Sequence, residues 1–361
     1  MAKESNIEDA RARIDATDEK LQELISERAK LAAEIGKLKR ESDSAAVFYR
    51  PEREVQVLRE IIKRNKGPLE NNEIARLFRE IMSACLALEQ KLNVAFLGPQ
   101  ATFTQSAALK HFGHSVSTSP QKSIAEVFRE VEVGSCDYGV VPIENSIEGA
   151  INQTLDMLVN SNLHICGEVY LRIHQNLMSK ADQFQKINRV YSHQQSLAQC
   201  RSWLDNNLAQ AERIVVSSNA EAAMCAQENN QWAAIAGKVA ADYYQLPILA
   251  AKIEDEPDNT TRFLVLGQNS AMASGKDKTS ILFAIANEPG ALQSTLAYFS
   301  ENHIDMSRIE SRPSRQGKWE YVFFVDIDGH CDDEKIVKVL QQLEQQALMM
   351  KVLGSYPLAV I

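Results

Sequence analysis

The sequence predicts a chain of three parts: an all-α helical region at residues 1–91, an α/β region at 93–268 and an α+β unit at 279–361. The first part has no histidine, few prolines and glycines, and many alternating charges, which favours helices throughout. Short β-rich runs alternate with helical stretches in the second part, a pattern typical of parallel strands flanked by helices. The polar segment QNSAMASGKDK separates the second part from the third.

The composition excludes several classes of function. With 361 residues the chain is long enough for two or three domains, and a net charge of -9 argues against general binding to nucleic acid or to a membrane. An anionic ligand must then be held by local cations or by helix N-termini. Six cysteines without a CxxC pair indicate a reducing, cytoplasmic compartment, and the N-terminus lacks an apolar signal segment. We expect no cofactor and no metal ion, because His111 and His114 have no acidic or thiol ligand nearby in the sequence.

The first helix carries two rows of residues with a seven-residue repeat. One row contains Ile7, Ile14, Leu21, Arg28 and Ile35, and the other contains Ala10, Thr17, Leu24, Leu31 and Leu38. Arg28 interrupts the apolar pattern of its row with a charge. It either extends out of the seam and fixes the register of paired helices, or it faces a buried anion.

Lys39 supports the second interpretation of Arg28. It follows Arg28 by three helical turns, so both side chains leave the same face about 16 Å apart and could bracket a small dicarboxylate. Arg11 lies about 25 Å before Arg28 along the axis. It could join this site only from a second chain that runs antiparallel to the first.

The segments RARIDATDEKLQELISERAKLAAEIGKLK, RPERE and IARLFREIMSACLALEQ resemble all-helical chorismate mutases of the intertwined-dimer type, over nearly the whole first 90 residues. The resemblance implies that Arg28 and Lys39 hold the carboxylates and the ether oxygen of chorismate, and that Arg11 acts across the dimer. It also implies substrate contacts from Arg53, Glu54 and Cys85. The Claisen rearrangement to prephenate needs positioning and preorganised charge rather than an acid, base or nucleophile, which explains how a histidine-free bundle can be an enzyme.

Two positions depart from the mutase pattern. Arg50 stands where an aspartate is common, so no role is carried over to it. Glu89 stands where many members have a glutamine, and it can donate a hydrogen bond to the ether oxygen only when protonated. Mutase activity should therefore fall as the pH rises, and an unchanged pH profile in Glu89→Gln would contradict this role. The alternative is a surface carboxylate beside Gln90 and Lys91.

In the α/β region, polar loops follow five predicted strands. These loops are GPQATFTQSAA, PIENSIEGAIN, SHQQSLAQC, SSNAEAA and GKVAADYY. Each alone is best explained as an ordinary helix N-cap. Because ligands lie beyond the carboxyl ends of strands in open parallel sheets, the five together predict a ring of amide donors and hydroxyls suited to carboxylates.

These loops, together with NTTRF, closely resemble the prephenate dehydratase family. The matching motifs are GPxxTF at 98–103, VPIENSxEG at 141–149, SHxQ at 192–195 and TRF at 261–263. The resemblance implies two α/β lobes, like those of periplasmic binding proteins, with the site in the cleft between them. Ala101 stands where a glycine is usual and Gln194 where a proline is usual.

Prephenate loses its ring carboxylate as carbon dioxide and its ring hydroxyl as water, and aromatisation drives the reaction. The enzyme mainly needs a proton donor at the departing hydroxyl and a holder for the side-chain carboxylate. The resemblance assigns the catalytic role to Thr261, which either donates the proton or relays it from a better acid. Glu144 and His193 are the candidates for that acid.

The other candidates for substrate binding in this region are Asn145, Ser146, Ser192 and Arg262. For Arg262 two interpretations remain open. It either binds a carboxylate or pairs with Asp258 or Glu256, since alternation along a strand should point it away from Thr261.

The last unit has the predicted order strand, helix, strand, strand, helix, strand, which is ferredoxin-like. NEPGAL at 287–292 and IESRPS at 309–314 resemble the two ligand motifs of the ACT domains of phenylalanine-regulated dehydratases. Gly290 opens a helix whose amides can receive an amino-acid carboxylate; otherwise it is a turn glycine, with a proline ending the strand. The resemblance implies L-phenylalanine binding by Gly290, Ala291, Leu292, Glu310, Ser311, Arg312 and Pro313, coupled to dimer contacts.

These observations predict a cytoplasmic enzyme that converts chorismate to prephenate and prephenate to phenylpyruvate, and that L-phenylalanine inhibits. We expect a homodimer or a larger homo-oligomer. One alternative is a dehydratase whose helical region is only a silent dimerisation arm, and Arg28 and Lys39 on one face argue against it. The other is a non-catalytic amino-acid sensor with a solute-binding core, which phenylpyruvate formation would exclude.

Overall fold

The computed structural model describes residues 7–42, 47–313 and 321–360. Its first part is helical, as predicted, with α1 (Ile7–Ser42), α2 (Pro51–Arg64) and α3 (Asn71–Glu89). At about 1.5 Å per residue, α1 is about 54 Å long, and α3 packs against its C-terminal half near Gly36. A side chain at Gly36 would lie 3.0 Å from Cγ of Glu89, so the glycine permits this close approach.

The second part contains most of the remaining elements. In chain order they are β1 (Asn93–Leu97), α4 (Phe103–Phe112), β2 (Ser117–Gln121), α5 (Ile124–Glu132), β3 (Tyr138–Asn145), β4 (Gly149–Ala150), α6 (Asn152–Asn160), β5 (His164–Arg172), β6 (Asn176–Ser179), β7 (Arg189–His193), α7 (Gln194–Gln199), α8 (Arg201–Asn207), β8 (Glu212–Val216), α9 (Asn219–Gln227), β9 (Trp232–Ala236), α10 (Lys238–Tyr243), β10 (Ile248–Ala250) and β11 (Thr260–Gly267).

These strands form two sheets, one for each lobe. The first sheet has the order β2-β1-β3-β11-β5, with β4 paired to β3, and the second has the order β10-β6-β9-β7-β8. As predicted, β1 pairs parallel to β2 and β3, and β7 pairs parallel to β8 and β9, whereas β11 runs antiparallel to β3 and β5, and β6 runs antiparallel to β9 and β10. Both reversed strands receive the chain from the other lobe. They therefore begin at the cleft, where their parallel neighbours end.

The third part forms one antiparallel sheet with two helices. Its elements are β12 (Asp277–Ile285), α11 (Ala291–Glu301), β13 (Met306–Pro313), β14 (Tyr321–Asp328), α12 (Glu334–Gln346) and β15 (Met349–Pro357). The sheet order is β13-β14-β12-β15, which confirms the ferredoxin-like prediction. The predicted turn RQGK lies outside the described residues. The helices cover one face, and the other face packs on the first lobe through Leu282, Phe324 and Tyr356.

Tyr49 and His111 meet where the helical region packs on the first lobe. The hydroxyl of Tyr49, just before α2, lies 3.0 Å from Nε2 of His111 on α4. Burial of the ring, with a smaller effect from the Arg79 guanidinium, lowers the pKa of His111 from 6.5 to about 3. The folded protein therefore holds this histidine neutral at pH values where the unfolded chain protonates it.

We expect this histidine to make the protein sensitive to acid. Above pH 6.5 the neutral His111 costs no stability. Below pH 6.5 the unfolded chain binds a proton at this residue and the folded chain does not. The free energy of unfolding therefore decreases, by about 3 kcal/mol at pH 4. His111→Gln should flatten the decline in the free energy of unfolding between pH 7 and pH 4, measured by chemical denaturation. His114→Gln is the comparison variant: its exposed ring lies 2.8 Å from the Glu80 carboxylate, and its replacement should not flatten the decline. An unchanged slope in His111→Gln would contradict this account.

Among the residues described, no helix combines the length and the apolar character needed to cross a membrane.

Candidate active sites

The helical region places Lys39 beside Glu89, at the contact between α1 and α3. The Lys39 ammonium lies 3.4 Å from Oε2 of Glu89 and donates to the carbonyl of Phe48 at 3.2 Å. Cys85 is buried one turn before Glu89 on α3, and Arg28 is half-buried three turns before Lys39 on α1. The structure thus places Lys39 and Glu89 together at the contact of α1 with α3, and Arg28 is half-buried on the same face of α1 as Lys39.

The N-terminal half of α1 extends away from the rest of the chain. Arg11 is exposed there, far from Lys39 on the same helix. Most of the two predicted heptad rows is also exposed, including Ile7 at 70%, Leu24 at 61% and Leu38 at 56%. A single chain therefore leaves a continuous apolar surface of α1 uncovered.

Arg53 and Glu54 at the start of α2 have different surroundings. Arg53 is exposed, whereas the Glu54 carboxylate accepts from Nε of buried Arg79 at 3.2 Å. Burial raises the pKa of Glu54, and Arg79 opposes that effect. Arg79 in turn donates to the carbonyl of Lys110 on the first lobe. The structure therefore corrects the prediction for Glu54, because its carboxylate belongs to the interface with the first lobe and is paired there.

A cavity of about 180 Å³ lies in the cleft between the two lobes. Four of the five predicted loops contribute to its wall, and the exception is GKVAADYY. The cavity is lined by Phe103, Thr104, Pro142, Asn145, Ile151, Ile173, Gln175, Gln195, Ser196, Gln199, Asn219, Asn259, Thr261 and Phe263. None of these fourteen described residues carries a formal charge.

Hydrogen bonds from Asn145 fix the direction of the Thr261 hydroxyl. Oδ1 of Asn145 accepts from the amides of Ile147 and Glu148, so its other atom must be the amide nitrogen. That Nδ2 donates to Oγ1 of Thr261 at 2.8 Å and to Oδ1 of Asn259 at 2.7 Å. Because Thr261 accepts this bond, its own hydrogen is free to be donated elsewhere.

The wall from the second lobe is organised around Asn219. Its Oδ1 accepts from the Ser192 hydroxyl at 2.9 Å and from the His193 amide at 3.1 Å, and its Nδ2 donates to Oγ of Ser196. Ser192 is buried, and its single hydroxyl hydrogen is shared between Asn219 and the carbonyl of Ile235 at 2.8 Å. Ser192 therefore lies behind the wall, and the His193 ring caps α7 by accepting from the Gln195 amide.

The pairing of β3 with β11 separates two pairs of predicted residues. Thr261 is opposite Asn145, and Arg262 is opposite Glu144. Successive side chains on a strand alternate between faces, so the first pair borders the cavity and the second points to the opposite face of the sheet. Ser146 is exposed just after β3, where its hydroxyl accepts from the Thr260 amide.

Arg262 and Glu144 both contact the third part of the chain. Arg262 donates to Glu168 at 2.9 Å, to Asp326 at 2.6 Å and to the Tyr356 hydroxyl at 2.9 Å, and it is buried. Glu144 lies 3.0 Å from Nε of Arg308. The structure thus corrects the predictions that Arg262 binds substrate and that Glu144 supplies the proton. Asp258 and Glu256, the alternative partners suggested for Arg262, do not pair with it. Asp258 pairs with Arg172 instead.

The predicted amino-acid site of the third part is divided between two faces of its sheet. Gly290 precedes α11 with a φ of 86°, and Ala291 and Leu292 pack on the helix-covered face. Ser311 and Pro313 are exposed and stand opposite Phe323 and Tyr321 on β14, with Phe323 in the core of that same face. Glu310 and Arg312 alternate to the other face, where Arg312 donates to Asp156 and to the carbonyl of Asn152. Within one chain, Glu310 and Arg312 therefore lie on the opposite face from Ala291, Leu292, Ser311 and Pro313.

Comparison with known proteins assigns the three parts separately. The profile of the chorismate mutase type II family matches residues 10–90, that of prephenate dehydratase matches 94–271, and that of the ACT domain matches 279–345. A relative from Pseudomonas aeruginosa, named bifunctional chorismate mutase/prephenate dehydratase, is 54% identical over 100% of both chains. The chain belongs to this bifunctional family.

Two further relatives support the assignment. A protein of the same name from Neisseria gonorrhoeae is 50% identical over 96% of both chains. The crystal structure of prephenate dehydratase from Arthrobacter aurescens in complex with L-Phe is 33% identical, with a TM-score of 0.68, and covers 74% of this chain and 90% of that one.

The two departures from the dehydratase motifs have simple structural explanations. Ala101 adopts a φ of 65°, a left-handed conformation that glycine adopts without strain, which accounts for the usual glycine there. Its amide donates to Oε1 of Gln105 on α4. Gln194 is the first residue of α7, where a proline costs no helical hydrogen bond and a glutamine is equally acceptable.

Sequence reasoning missed several polar residues of the dehydratase cavity. Gln175 and Asn259 belong to segments that cross between the lobes, and Gln199 is at the end of α7. Gln199 lies within the quoted loop SHQQSLAQC and Asn259 within NTTRF, whereas no pattern in the sequence singled out Gln175. Partial burial raises the pKa of Glu148, which accepts from Nε2 of Gln199 at 3.4 Å.

The buried position of Arg262 gives a clear prediction for stability in the dehydratase domain. Arg262→Met should lower the free energy of unfolding by about 3–5 kcal/mol, because it leaves Asp326 without its buried partner. Arg172→Met removes a guanidinium from the exposed pair with Asp258 and should cost less than about 1 kcal/mol. Denaturant titration of both variants checks this, and equal losses would show that burial does not govern the difference.

Proposed function

We propose that the cleft cavity binds prephenate and that Thr261 donates a hydrogen bond to its departing hydroxyl. The free hydrogen of Thr261, left available by the Asn145 contact, is the observation that carries this proposal. The ring C–O bond breaks, the oxygen takes up a proton and leaves as water, and carbon dioxide departs while its bonding electrons complete the aromatic ring. Phenylpyruvate is the product.

The uncharged wall of the cavity suits this reaction. A cation beside the ring carboxylate would stabilise the ground state more than the transition state, in which that charge disperses. The first turn of α4, at Phe103 and Thr104, offers backbone amides instead, which can hold the side-chain carboxylate. With Glu144 paired to Arg308, His193 and Glu148 remain as acids near the second lobe's wall.

For the mutase reaction, we propose that Arg28 and Lys39 hold the carboxylates and the ether oxygen of chorismate. Glu89, 3.4 Å from Lys39, would face the ether oxygen, and Cys85 and Arg53 would border the substrate. The position of Lys39 and Glu89 across the α1 and α3 contact supports this role. Charge growing on the ether oxygen would then meet a preorganised ammonium group.

We also propose that two copies of the chain pair along α1. The exposed apolar rows require a partner surface of the same pattern, and a second copy of α1 provides it. In an antiparallel pair the exposed Arg11 of one copy approaches Arg28 and Lys39 of the other.

All six cysteines are free thiols, which supports a reducing compartment such as the cytoplasm.

The third part is proposed to bind L-phenylalanine and to inhibit the dehydratase. The Arthrobacter relative was solved in complex with L-Phe, and its chain is covered to 90%. The contacts of Arg308 with Glu144 and of Asp326 with Arg262 connect the third part to the strands that carry Asn145 and Thr261. A ligand that shifts β13 or β14 would therefore reach both cavity residues.

Direct assay of prephenate tests the dehydratase and the sensor together. The purified full chain should release phenylpyruvate from prephenate, and added L-phenylalanine should slow that release and raise the thermal midpoint. If phenylalanine changed neither quantity, the sensor proposal would fail while the dehydratase proposal stood. If no phenylpyruvate formed in its absence, the dehydratase proposal would fail.

A further inference from the structure

Gln175 lines the dehydratase cavity and carries a buried, unpaired side-chain oxygen. It lies between β5 and β6, lines the cavity, and is only 1% exposed. Its Nε2 donates to Oγ of Ser196 at 3.0 Å and to Oε1 of Gln199 at 3.3 Å. Its Oε1 has no hydrogen-bond partner in the described part of the chain. Buried amide oxygens are nearly always paired, so this one points to a ligand.

The neighbouring side chains fix the orientation of the Gln175 amide. Gln199 uses its Nε2 to donate to the Glu148 carboxylate at 3.4 Å, so its Oε1 is the atom that faces Gln175. Gln175 must therefore present its nitrogen to Gln199. Its oxygen is left as an acceptor, which can pair only with a donor.

Prephenate has one group that can satisfy such an acceptor. At neutral pH its two carboxylates and its ketone only accept hydrogen bonds, and its ring hydroxyl is its single donor. We propose that Oε1 of Gln175 accepts the hydrogen of this ring hydroxyl and so positions the leaving group. This inference rests on the proposed dehydratase function of the cavity.

Gln175 and Thr261 would then act on the same hydroxyl from two directions. Thr261 donates to the hydroxyl oxygen, and Gln175 holds the hydrogen that the oxygen already carries. When the C–O bond breaks, that hydrogen leaves within the water molecule, so Gln175 neither gains nor loses a proton. As the oxygen takes up its second proton it gains positive charge, so the hydrogen it already carries becomes a stronger donor and the contact with Gln175 strengthens in the transition state.

The variant Gln175→Met tests this contact in the full-length protein. We expect kcat for prephenate to fall about 10- to 100-fold with a smaller rise in KM, because the contact is strongest in the transition state. Phenylpyruvate has no ring hydroxyl, so its inhibition constant as a product should not change. Gln175→Asn, which withdraws the oxygen by one methylene, should show a smaller loss of kcat in the same direction.

Three controls separate the possible results. Gln342→Met makes the same change at another glutamine with a buried, unpaired Oε1, on α12 outside the cavity, and should keep full turnover. Retained mutase activity shows that a variant has folded. Equal weakening of phenylpyruvate inhibition would indicate a structural role for Gln175, and unchanged kcat would indicate that water satisfies the oxygen; either result overturns the proposal. A wild-type protein inactive on prephenate would instead refute the proposed function of the cavity.

Discussion

Replacing Thr261 with valine is expected to lower the rate of phenylpyruvate formation from prephenate about 1,000-fold. Valine has nearly the shape of threonine but cannot donate a hydrogen bond to the departing hydroxyl. Valine also removes one of the two acceptors of Asn145 Nδ2, which then donates only to Oδ1 of Asn259. Chorismate consumption should be unchanged, since Lys39 and Glu89 meet at the contact of α1 with α3, whereas Thr261 borders the cleft cavity.

Thr260→Val is the matched control for that experiment. Thr260 is the adjacent residue on β11, and its hydroxyl donates to the carbonyl of Asp258 rather than bordering the cavity. The Thr260→Val variant should retain most of the wild-type dehydratase activity. If Thr261→Val also retained it, the catalytic role of Thr261 would be excluded, and a loss of both activities would indicate a folding defect.

The second large effect is expected from the mutase cations. Arg28→Ala and Arg11→Ala should each reduce chorismate consumption by about 100- to 1,000-fold, because each removes a preorganised positive charge. The two variants should complement each other when mixed dimers form. In such a dimer one site has its own Arg28 and the partner's Arg11, so about a quarter of the wild-type activity should return if chains pair at random.

Mixing Arg28→Ala with Lys39→Ala supplies the control for complementation. Both residues are assigned to the same copy of α1, so no combination of these chains restores a complete site. Recovery in this control, or none in the Arg11 and Arg28 mixture, would contradict the assignment of Arg11 to the opposite subunit. Dehydratase activity measured on the same samples confirms that the chains are folded.

The sequence was sufficient to predict the positions of residues that follow from local pattern. Helical spacing placed Arg28 and Lys39 on one face of α1, and the structure brings Lys39 to Glu89 across the α3 contact. Strand and loop patterns located the cleft, because most of the loops after the strands end there. Alternation along β11 also indicated correctly that Arg262 points away from Thr261.

The errors arose where a side chain's partner lies in another part of the chain. Glu144 directly precedes Asn145 in one motif, but alternation along β3 points its side chain to the opposite face of the sheet. There it pairs with Arg308 of β13. Glu310 and Arg312 are separated from Ser311 and Pro313 by the same alternation. Glu54 is paired with Arg79, twenty-five positions away. No local pattern contains the partners of these residues, because they follow from how the three parts pack together.

The fate of chorismate tests the bifunctional account most directly. The purified protein is incubated with chorismate alone, and chorismate, prephenate and phenylpyruvate are quantified over time. The account predicts that prephenate appears first and then declines as phenylpyruvate accumulates to match the chorismate consumed. Chorismate that remained unchanged, in a protein that converts added prephenate, would show that the helical region is only a dimerisation arm and would contradict the account.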